Sequence, residues 1–138
     1  MEQFASLKRS KDGQPVRFLV VDDSVFARKN LARIVEAFGG QVAGEAGDGM
    51  TAITEYDRTN PDIVLMDIAL GAMSGWEATR LIKQQPETAD IPIIALTAHA
   101  LSSDRAKSIE AGCAEFETKP IDLQRLLAKI DACLKAAA

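Results

Sequence analysis

Short apolar segments alternate with helical patterns along the chain from Arg17 onward. Five segments are predicted to be strands, and their apolar residues form continuous runs rather than an alternating pattern. Continuous runs are typical of strands that are buried on both faces of a parallel sheet. The predicted strands are residues 18–21, 42–46, 63–66, 92–96 and 115–118.

A helical pattern follows each predicted strand, with apolar residues recurring at intervals of three and four positions. The ends of the helices are marked by a glycine pair at 39–40, by a cap at Asp48, by an Asn-Pro step at 60–61 and by Gly112 after a helix at 103–111. The second helix is expected to bury its residues 52, 53 and 56, and the third helix carries residues 76, 81 and 82. The first helix carries Leu31, Ile34, Val35 and Phe38, and the last is expected to bury Leu123, Leu126, Leu127, Ile130 and Leu134.

Five strands alternating with five helices predict an α/β fold in which helices cover both faces of a parallel sheet. Right-handed crossovers and short connections favour a doubly wound open sheet, because a closed barrel needs eight such units and a much longer chain. Ligands of such sheets bind at the carboxyl ends of the strands. Functional residues are therefore expected directly after the strands.

Length and composition indicate one ordinary globular domain. The chain has 138 residues, of which 47% are hydrophobic and 26% are charged, and its net charge is −4. A negative chain is not expected to bind nucleic acid or an acidic membrane, and no apolar run is long enough to span a membrane. The amino terminus lacks the apolar stretch of a signal peptide, so a cytoplasmic protein is expected.

The expected organisation is a flexible lead-in at 1–15, a folded domain at 16–135 and a short tail at 136–138. The lead-in mixes charged residues with Ser and Gly, which is typical of mobile termini. Cys113 and Cys133 have neither CxxC nor metal-binding spacing. They are therefore expected to be reduced thiols.

Polar residues follow four of the predicted strands, and they are Asp22, Asp23, Asp67, Thr97 and Lys119. The carboxyl ends of parallel strands meet at one edge of a sheet, so these side chains are expected to lie together. Each close pair of carboxylates costs roughly 4 kcal/mol at an effective dielectric of about 20. The edge must therefore be neutralised by a cation, by protons or by both. Oxygen ligands of this kind suit Mg²⁺.

This set of groups suits the transfer of a phosphoryl group to a carboxylate. Asp67 is the candidate nucleophile that would form an aspartyl phosphate. Asp22 and Asp23 would hold the metal, Lys119 would supply the counter-cation, and Thr97 would donate a hydrogen bond. Each residue alone has a structural explanation, such as a turn or a cap, and only the joint pattern favours a site.

The order Asp22-Asp23, Asp67, Thr97-Ala98 and Lys119-Pro120 resembles the receiver domain of two-component response regulators, over residues 17–134. The segments at 75–80, 97–100 and 118–123 are similar to stand-alone, DivK-like receivers and to the receivers of hybrid histidine kinases. The resemblance implies a flavodoxin-like (CheY-like) sheet in the order 2-1-3-4-5. It also implies a single-domain response regulator that is no conventional enzyme, because it catalyses only its own phosphorylation and dephosphorylation.

The resemblance also implies roles and partners. Mg²⁺ would be held by Asp23, Asp67 and the main-chain carbonyl of Ala69, with Asp22 acting through water. Thr97 and Phe116 would form a switch in which Phe116 turns inward, although the sequence supports a plain core position for Phe116 equally well. The implied partners are a histidine kinase or a histidine phosphotransfer protein, and a downstream target protein. The protein would be a monomer or a weak, phosphorylation-dependent dimer.

Two positions depart from the family pattern. Gly71 stands where a proline usually follows the acceptor, which removes a restraint on φ and predicts a looser loop at 69–74. Phe116 stands where tyrosine is also common, and it lacks the tyrosine hydroxyl. Ala69 and His99 occupy positions that tune dephosphorylation in this family, and His99 is expected on an exposed loop.

Three other functions compete with this interpretation. A phosphatase of the haloacid-dehalogenase type needs an Asp-x-Asp after the first strand and additional sequence for a cap. A flavodoxin-like module for a nucleotide or flavin needs a glycine-rich phosphate loop. A DNA-binding regulator needs an output domain, and only Lys135 and three alanines follow the last apolar position. Signalling by protein contact is therefore the expected output.

Overall fold

The computed structural model describes residues 7, 12–70, 73–85, 90–98 and 102–137. Its strands and helices alternate in the order that the hydrophobic pattern predicts. The strands are β1 (Arg17–Val21), β2 (Gln41–Ala46), β3 (Ile63–Asp67), β4 (Ile93–Thr97) and β5 (Glu115–Thr118). The helices are α1 (Val25–Ala37), α2 (Gly49–Thr59), α3 (Gly75–Lys83), α4 (Ser102–Ala111) and α5 (Leu123–Ala137).

The strands form one parallel sheet in the order β2-β1-β3-β4-β5, which confirms the expected doubly wound topology. The chain order reverses at β1, which lies between β2 and β3. A crevice is expected outside the carboxyl ends of β1 and β3, because the connections from these two strands leave in opposite directions. All residues of β3 and β4 are buried, as their continuous apolar runs predict.

Apolar side chains pack in two clusters, one on each face of the sheet. Leu19 and Val21 join the cluster that contains residues of α2 and α3. Phe18 and Val20 join the cluster that contains residues of α1 and α5. Neighbouring residues of β1 thus face opposite layers of helices, because side chains alternate across a strand.

Local signals at the helix ends account for both boundaries of α2. Asp48 caps α2 and accepts a hydrogen bond from Thr51 N at 2.8 Å, as predicted, and Asn60 ends that helix in the left-handed conformation with φ of 48°.

The predicted burial of Leu123 is wrong, since this residue is 39% exposed. Leu123 is the first residue of α5, and helical side chains lean toward the N-terminus of the helix, which here leads beyond the end of the helix.

Leu7 lies in the segment expected to be a flexible lead-in, yet it packs into the core. Its side chain is buried, its N–H donates to the carbonyl of Phe38 at 2.6 Å, and its own carbonyl accepts from Val16 N at 2.8 Å. Of residues 1–15, the structure describes only Leu7 and residues 12–15. The flexibility of the rest of this segment stays a prediction.

An ion-pair network around the buried carboxylate of Glu117 joins β5 to α5. Glu117 is 2% exposed, and its carboxylate lies 3.0 Å from Arg125 Nε and 2.8 Å from Lys129 Nζ. Burial alone would raise the pKa of Glu117, but the hydrogen bonds from Lys129 and Arg125 outweigh burial and lower this pKa. Lys129 also donates to the main-chain carbonyl of Phe116. The network therefore fixes α5 against the strand that carries Phe116.

Two predictions from the composition concern the cysteines and the length of the apolar segments. Cys113 and Cys133 are buried and form no disulfide. Among the described residues, no helix combines the length and the apolar character that crossing a membrane requires.

Candidate functional site

The ends of β1 and β3 bring Asp22, Asp23 and Asp67 together. Each offers a carboxylate oxygen, and these oxygens all lie within 4.8 Å of one another. Asp22 and Asp67 are 0% and 4% exposed, whereas Asp23 is exposed. The three carboxylates therefore form one acidic cluster that is open to solvent at Asp23.

Local hydrogen bonds hold Asp22 where β1 ends and α1 begins. Its N–H donates to the carbonyl of Ala46 at 3.0 Å, and its Oδ1 accepts from Ser24 N at 2.9 Å. Ser24 in turn caps α1, because its Oγ accepts from Ala27 N at 3.2 Å. The chain thus turns directly from the strand into the helix, and the Asp22-Asp23 step lies in this turn.

Lys119 follows β5 and pairs with two of the carboxylates. Its Nζ lies 2.7 Å from Asp22 Oδ2 and 3.8 Å from Asp67 Oδ2, so the closer partner is Asp22. Its main-chain N–H donates to the carbonyl of Thr97 at 2.6 Å. Thr97 is the last residue of β4 and is 2% exposed. The structure therefore places all five residues selected from the sequence at the carboxyl ends of neighbouring strands.

The electrostatics of the cluster centre on Asp67. Burial raises the pKa of its carboxyl group to about 6, and the charges of Asp22 and Asp23 contribute in the same direction. The N–H of Ala69, which donates to Asp67 Oδ1 at 3.1 Å, and the ammonium of Lys119 oppose the shift. Three carboxylates against one lysine leave an excess of negative charge, and this all-oxygen set of donors fits Mg²⁺.

The remaining residues selected from the sequence are placed as follows. Ala69 is exposed two residues after Asp67. Phe116 is 6% exposed and packs in the cluster on the α2 and α3 face, a position that suits both an inward switch residue and plain core. Gly71 and His99 lie outside the described residues, so the looser loop and the exposed position of His99 stay predictions.

Two residues at this edge were not predicted from the sequence. Arg28 on α1 donates from Nη1 to the carbonyl oxygen of Asp22 at 2.8 Å. Gly75 begins α3 and packs directly on the end of β3, where a Cβ atom would overlap the carbonyl oxygen of Asp67 and lie 2.6 Å from Ile68 Cα. Neither contact has a sequence signal, because both depend on how a helix packs against the sheet.

Substitution of Gly75 by alanine is expected to destabilise the protein by about 2 kcal/mol. The added methyl group would contact main-chain atoms of Asp67 and Ile68, which cannot move aside as a side chain can. Urea unfolding measures the loss. Gly44→Ala is the control, because its closest contact would be Glu55 Oε1, the end of a flexible side chain. Equal stability of Gly75→Ala and the wild type would contradict the close approach of α3 to β3.

Comparison with known proteins agrees with this geometry. A family model for the response regulator receiver domain matches residues 18–131. Protein PilH of Pseudomonas aeruginosa is 37% identical over 120 residues, which cover 86% of this chain and 97% of PilH. The probable transcriptional regulatory protein TcrX of Mycobacterium tuberculosis is 34% identical over 127 residues, which cover 92% of this chain and 53% of TcrX. The chain thus spans about half the length of the transcriptional regulators that it matches, TcrX among them.

This chain is also similar in structure to solved receiver proteins. One is a chain of the CheX-CheY-BeF3-Mg complex from Borrelia burgdorferi, with a TM-score of 0.84 and 27% identity. The match covers 91% of this chain and 94% of that chain. This chain therefore shares its fold with that structure over most of both chains.

Proposed function

The chain belongs to the response regulator receiver domain family of two-component systems, and from this premise we propose that it accepts a phosphoryl group on Asp67 with the help of Mg²⁺. One observation carries the proposal. Asp22, Asp23 and Asp67 lie within 4.8 Å of one another, with Lys119 paired to two of them. One edge of the sheet thus carries groups that could serve as a nucleophile, as metal ligands and as a fixed cation.

Asp67 is the carboxylate best suited to act as the nucleophile. It is buried at the end of β3, where the N–H of Ala69 orients Oδ1 and the ammonium of Lys119 lies 3.8 Å from Oδ2. In the proposed step, a carboxylate oxygen of Asp67 bonds to phosphorus as the bond from phosphorus to the leaving atom of the donor breaks. The leaving group keeps the electron pair of that bond. The donor would be a phosphorylated histidine of a kinase or of a histidine phosphotransfer protein.

The neighbouring residues would hold the metal and stabilise the phosphoryl group. Mg²⁺ supplies positive charge that neutralises the phosphoryl oxygens. Asp23, Asp67 and the main-chain carbonyl of Ala69 would bind it, with Asp22 acting through water. Lys119 would then contact a phosphoryl oxygen, and the hydroxyl of Thr97 would donate to another. Attack of water on phosphorus would later release phosphate and restore the carboxylate, so the chain would catalyse only its own modification.

The output in this proposal is a change in affinity for a downstream target protein. The new negative charge on Asp67 would bias Thr97 and Phe116 between two arrangements, and the surface around β4 and β5 would follow. Coupling of this kind is typically worth about 1–3 kcal/mol, which corresponds to a change of roughly 5–150-fold in partner affinity. The protein would act in the cytoplasm as a monomer or a weak phosphorylation-dependent dimer, without binding nucleic acid.

The proposal predicts that the wild-type protein gains the mass of one phosphoryl group when it is incubated with Mg²⁺ and acetyl phosphate. The gain should disappear when EDTA removes the metal, because the phosphoryl oxygens then lack their counter-charge. Hydroxylamine should reverse it, since it cleaves an acyl phosphate and leaves phosphoserine intact. Intact mass spectrometry measures all three results. Absence of any mass gain in a protein that binds Mg²⁺ would refute the proposed acceptor chemistry.

A further inference from the structure

The guanidinium group of Arg28 joins three parts of the chain beside the acidic cluster. Arg28 lies on α1, and its Nη1 donates to the carbonyl oxygen of Asp22 at 2.8 Å. Its Nε donates to Glu45 Oε1 on β2 at 3.0 Å. The side chains of Arg28 and Glu45 are 17% and 26% exposed. The contact therefore links α1 and β2 to the loop that carries the first two carboxylates.

The carbonyl group that Arg28 holds belongs to the peptide unit between Asp22 and Asp23. Because a peptide unit is planar, fixing its oxygen also fixes the direction in which the chain enters Asp23. The other polar atoms of Asp22 are held as well, by Ala46 O, by Ser24 N and by Lys119 Nζ. The Arg28 contact thus completes the immobilisation of this step, and Asp23 is the exposed carboxylate that follows it.

Glu45 directs Arg28 toward this peptide. Its Oε1 accepts from Arg28 Nε, and Lys29 Nζ shares the same carboxylate at 3.2 Å. Gly47 leaves room for the guanidinium, since a Cβ atom there would lie 3.3 Å from Arg28 Nη1. The arginine is therefore held in place by groups that do not themselves belong to the acidic cluster.

From these contacts we propose that Arg28 is a positioning residue, which holds the Asp22-Asp23 peptide in the orientation that lets this acidic cluster bind a divalent cation. The inference rests on the proposed function, in which these carboxylates hold Mg²⁺. Residues that orient the ligands of a metal commonly change its affinity although they never touch it. The sequence alone does not separate Arg28 from the other basic residues of α1.

The proposal makes a prediction opposite in sign to that of simple electrostatics. A positive charge beside the cluster repels a cation, so an arginine acting only through its charge would weaken Mg²⁺ binding, and its removal would strengthen it. An arginine that positions the ligands strengthens binding, and its removal must weaken it. The direction of the change in Mg²⁺ affinity therefore decides between the two roles.

The test is calorimetric titration of the full chain with Mg²⁺ for the wild type, Arg28→Met and Arg28→Lys. We expect Arg28→Met to weaken Mg²⁺ binding about tenfold, a typical effect for residues that orient metal ligands. Arg28→Lys keeps the charge but lacks the planar fork of N–H donors that holds both acceptors in a fixed geometry, so we expect a smaller loss in the same direction. Arg28→Lys also tests the proposal if Arg28→Met fails to fold. Unchanged or tighter binding in either folded variant would overturn the proposal.

Arg17→Met is the matched control. Arg17 also holds main-chain carbonyls, with Nη1 lying 2.6 Å from the carbonyl oxygen of Thr59 and 3.0 Å from that of Asn60, but it does so at the opposite end of β1. Its removal is expected to lower stability and leave the Mg²⁺ affinity unchanged. A loss of Mg²⁺ affinity in Arg17→Met equal to that in Arg28→Met would reduce the role of Arg28 to general stability. A wild type without Mg²⁺ binding would instead refute the metal site of the proposed function together with this inference.

Discussion

Replacement of Asp67 by asparagine is expected to abolish phosphorylation and, in the absence of Mg²⁺, to raise the stability of the folded protein. Asparagine has nearly the shape of aspartate, but its amide is not a nucleophile toward phosphorus. The mass gain with acetyl phosphate should therefore fall below detection rather than decrease by a factor. Intact mass spectrometry and thermal unfolding measure the two effects on the same sample.

The gain in stability follows from the charge of the cluster. Burial raises the pKa of Asp67 to about 6 in the folded protein, above the ordinary aspartate value of 3.8. The folded state therefore binds this proton more tightly than the unfolded state, and the wild type loses stability as pH rises from about 4 to about 6. The stability difference between Asp67→Asn and the wild type should grow over this interval and stay constant above it. Saturating Mg²⁺ should reduce the difference, because the ion stabilises the wild type more.

Asp62→Asn is the control for both effects. Asp62 Oδ2 accepts from the N–H of Arg17 at 2.9 Å, at the edge of the sheet opposite the acidic cluster. This variant should keep the full mass gain and should not become more stable. A mass gain that persists in Asp67→Asn would assign the acceptor role to Asp22 or Asp23. A lower melting temperature of Asp67→Asn without Mg²⁺ would contradict the repulsion within the cluster.

The order of the elements and the acidic cluster could be predicted from the sequence for the same physical reason. Strands that are buried on both faces are apolar at successive positions, so the first polar residue marks the end of the strand. In a parallel sheet these ends lie at one edge. The meeting of Asp22, Asp67 and Thr97 therefore needs no knowledge of how the helices pack.

Contacts that depend on the packing of helices could not be predicted in this way. Arg28 reaches the Asp22 carbonyl only because α1 lies beside the end of β2. Glu117 stands in a strand that its sequence marks only weakly, and its cations come from positions eight and twelve residues further along the chain. The pairing of Lys119 with Asp22 at 2.7 Å rather than with Asp67 at 3.8 Å likewise depends on the conformation of one long side chain. Sequence patterns specify which residues reach the edge but not which atoms pair there.

Lys129→Met is expected to destabilise the protein by about 3 kcal/mol, whereas Glu117→Gln should cost only about 1 kcal/mol. Removal of the lysine leaves the Glu117 carboxylate, which is 2% exposed, with Arg125, whose side chain is 59% exposed. It also removes the donor to the carbonyl of Phe116. Removal of the carboxylate leaves two cations that can turn toward water. Urea unfolding at about pH 7 measures both losses.

Lys135→Met is the matched control, because it removes another lysine of the same helix. Its ion pair with Asp131, at 3.0 Å, joins side chains that are 77% and 47% exposed, and an exposed pair of this kind contributes roughly 0–1 kcal/mol. A loss in Lys129→Met no larger than that in Lys135→Met would show that the ion pairs of Glu117 do not hold α5 against β5.

The pH dependence of the same variants separates the charge of Lys129 from its packing. The pKa of Glu117 is lowered in the folded protein from the ordinary glutamate value of 4.5, so its ion pairs stabilise the fold above that value and cease to do so as pH falls through the lowered pKa. The stability difference between the wild type and Lys129→Met should therefore narrow below about pH 4.5. A constant difference from about pH 7 to about pH 3 would attribute the loss to packing. Lys129 also donates to the carbonyl of Phe116. A stability difference that narrows at low pH would therefore show that the charge of Glu117 helps to hold α5 against the strand on which the proposed switch residue lies.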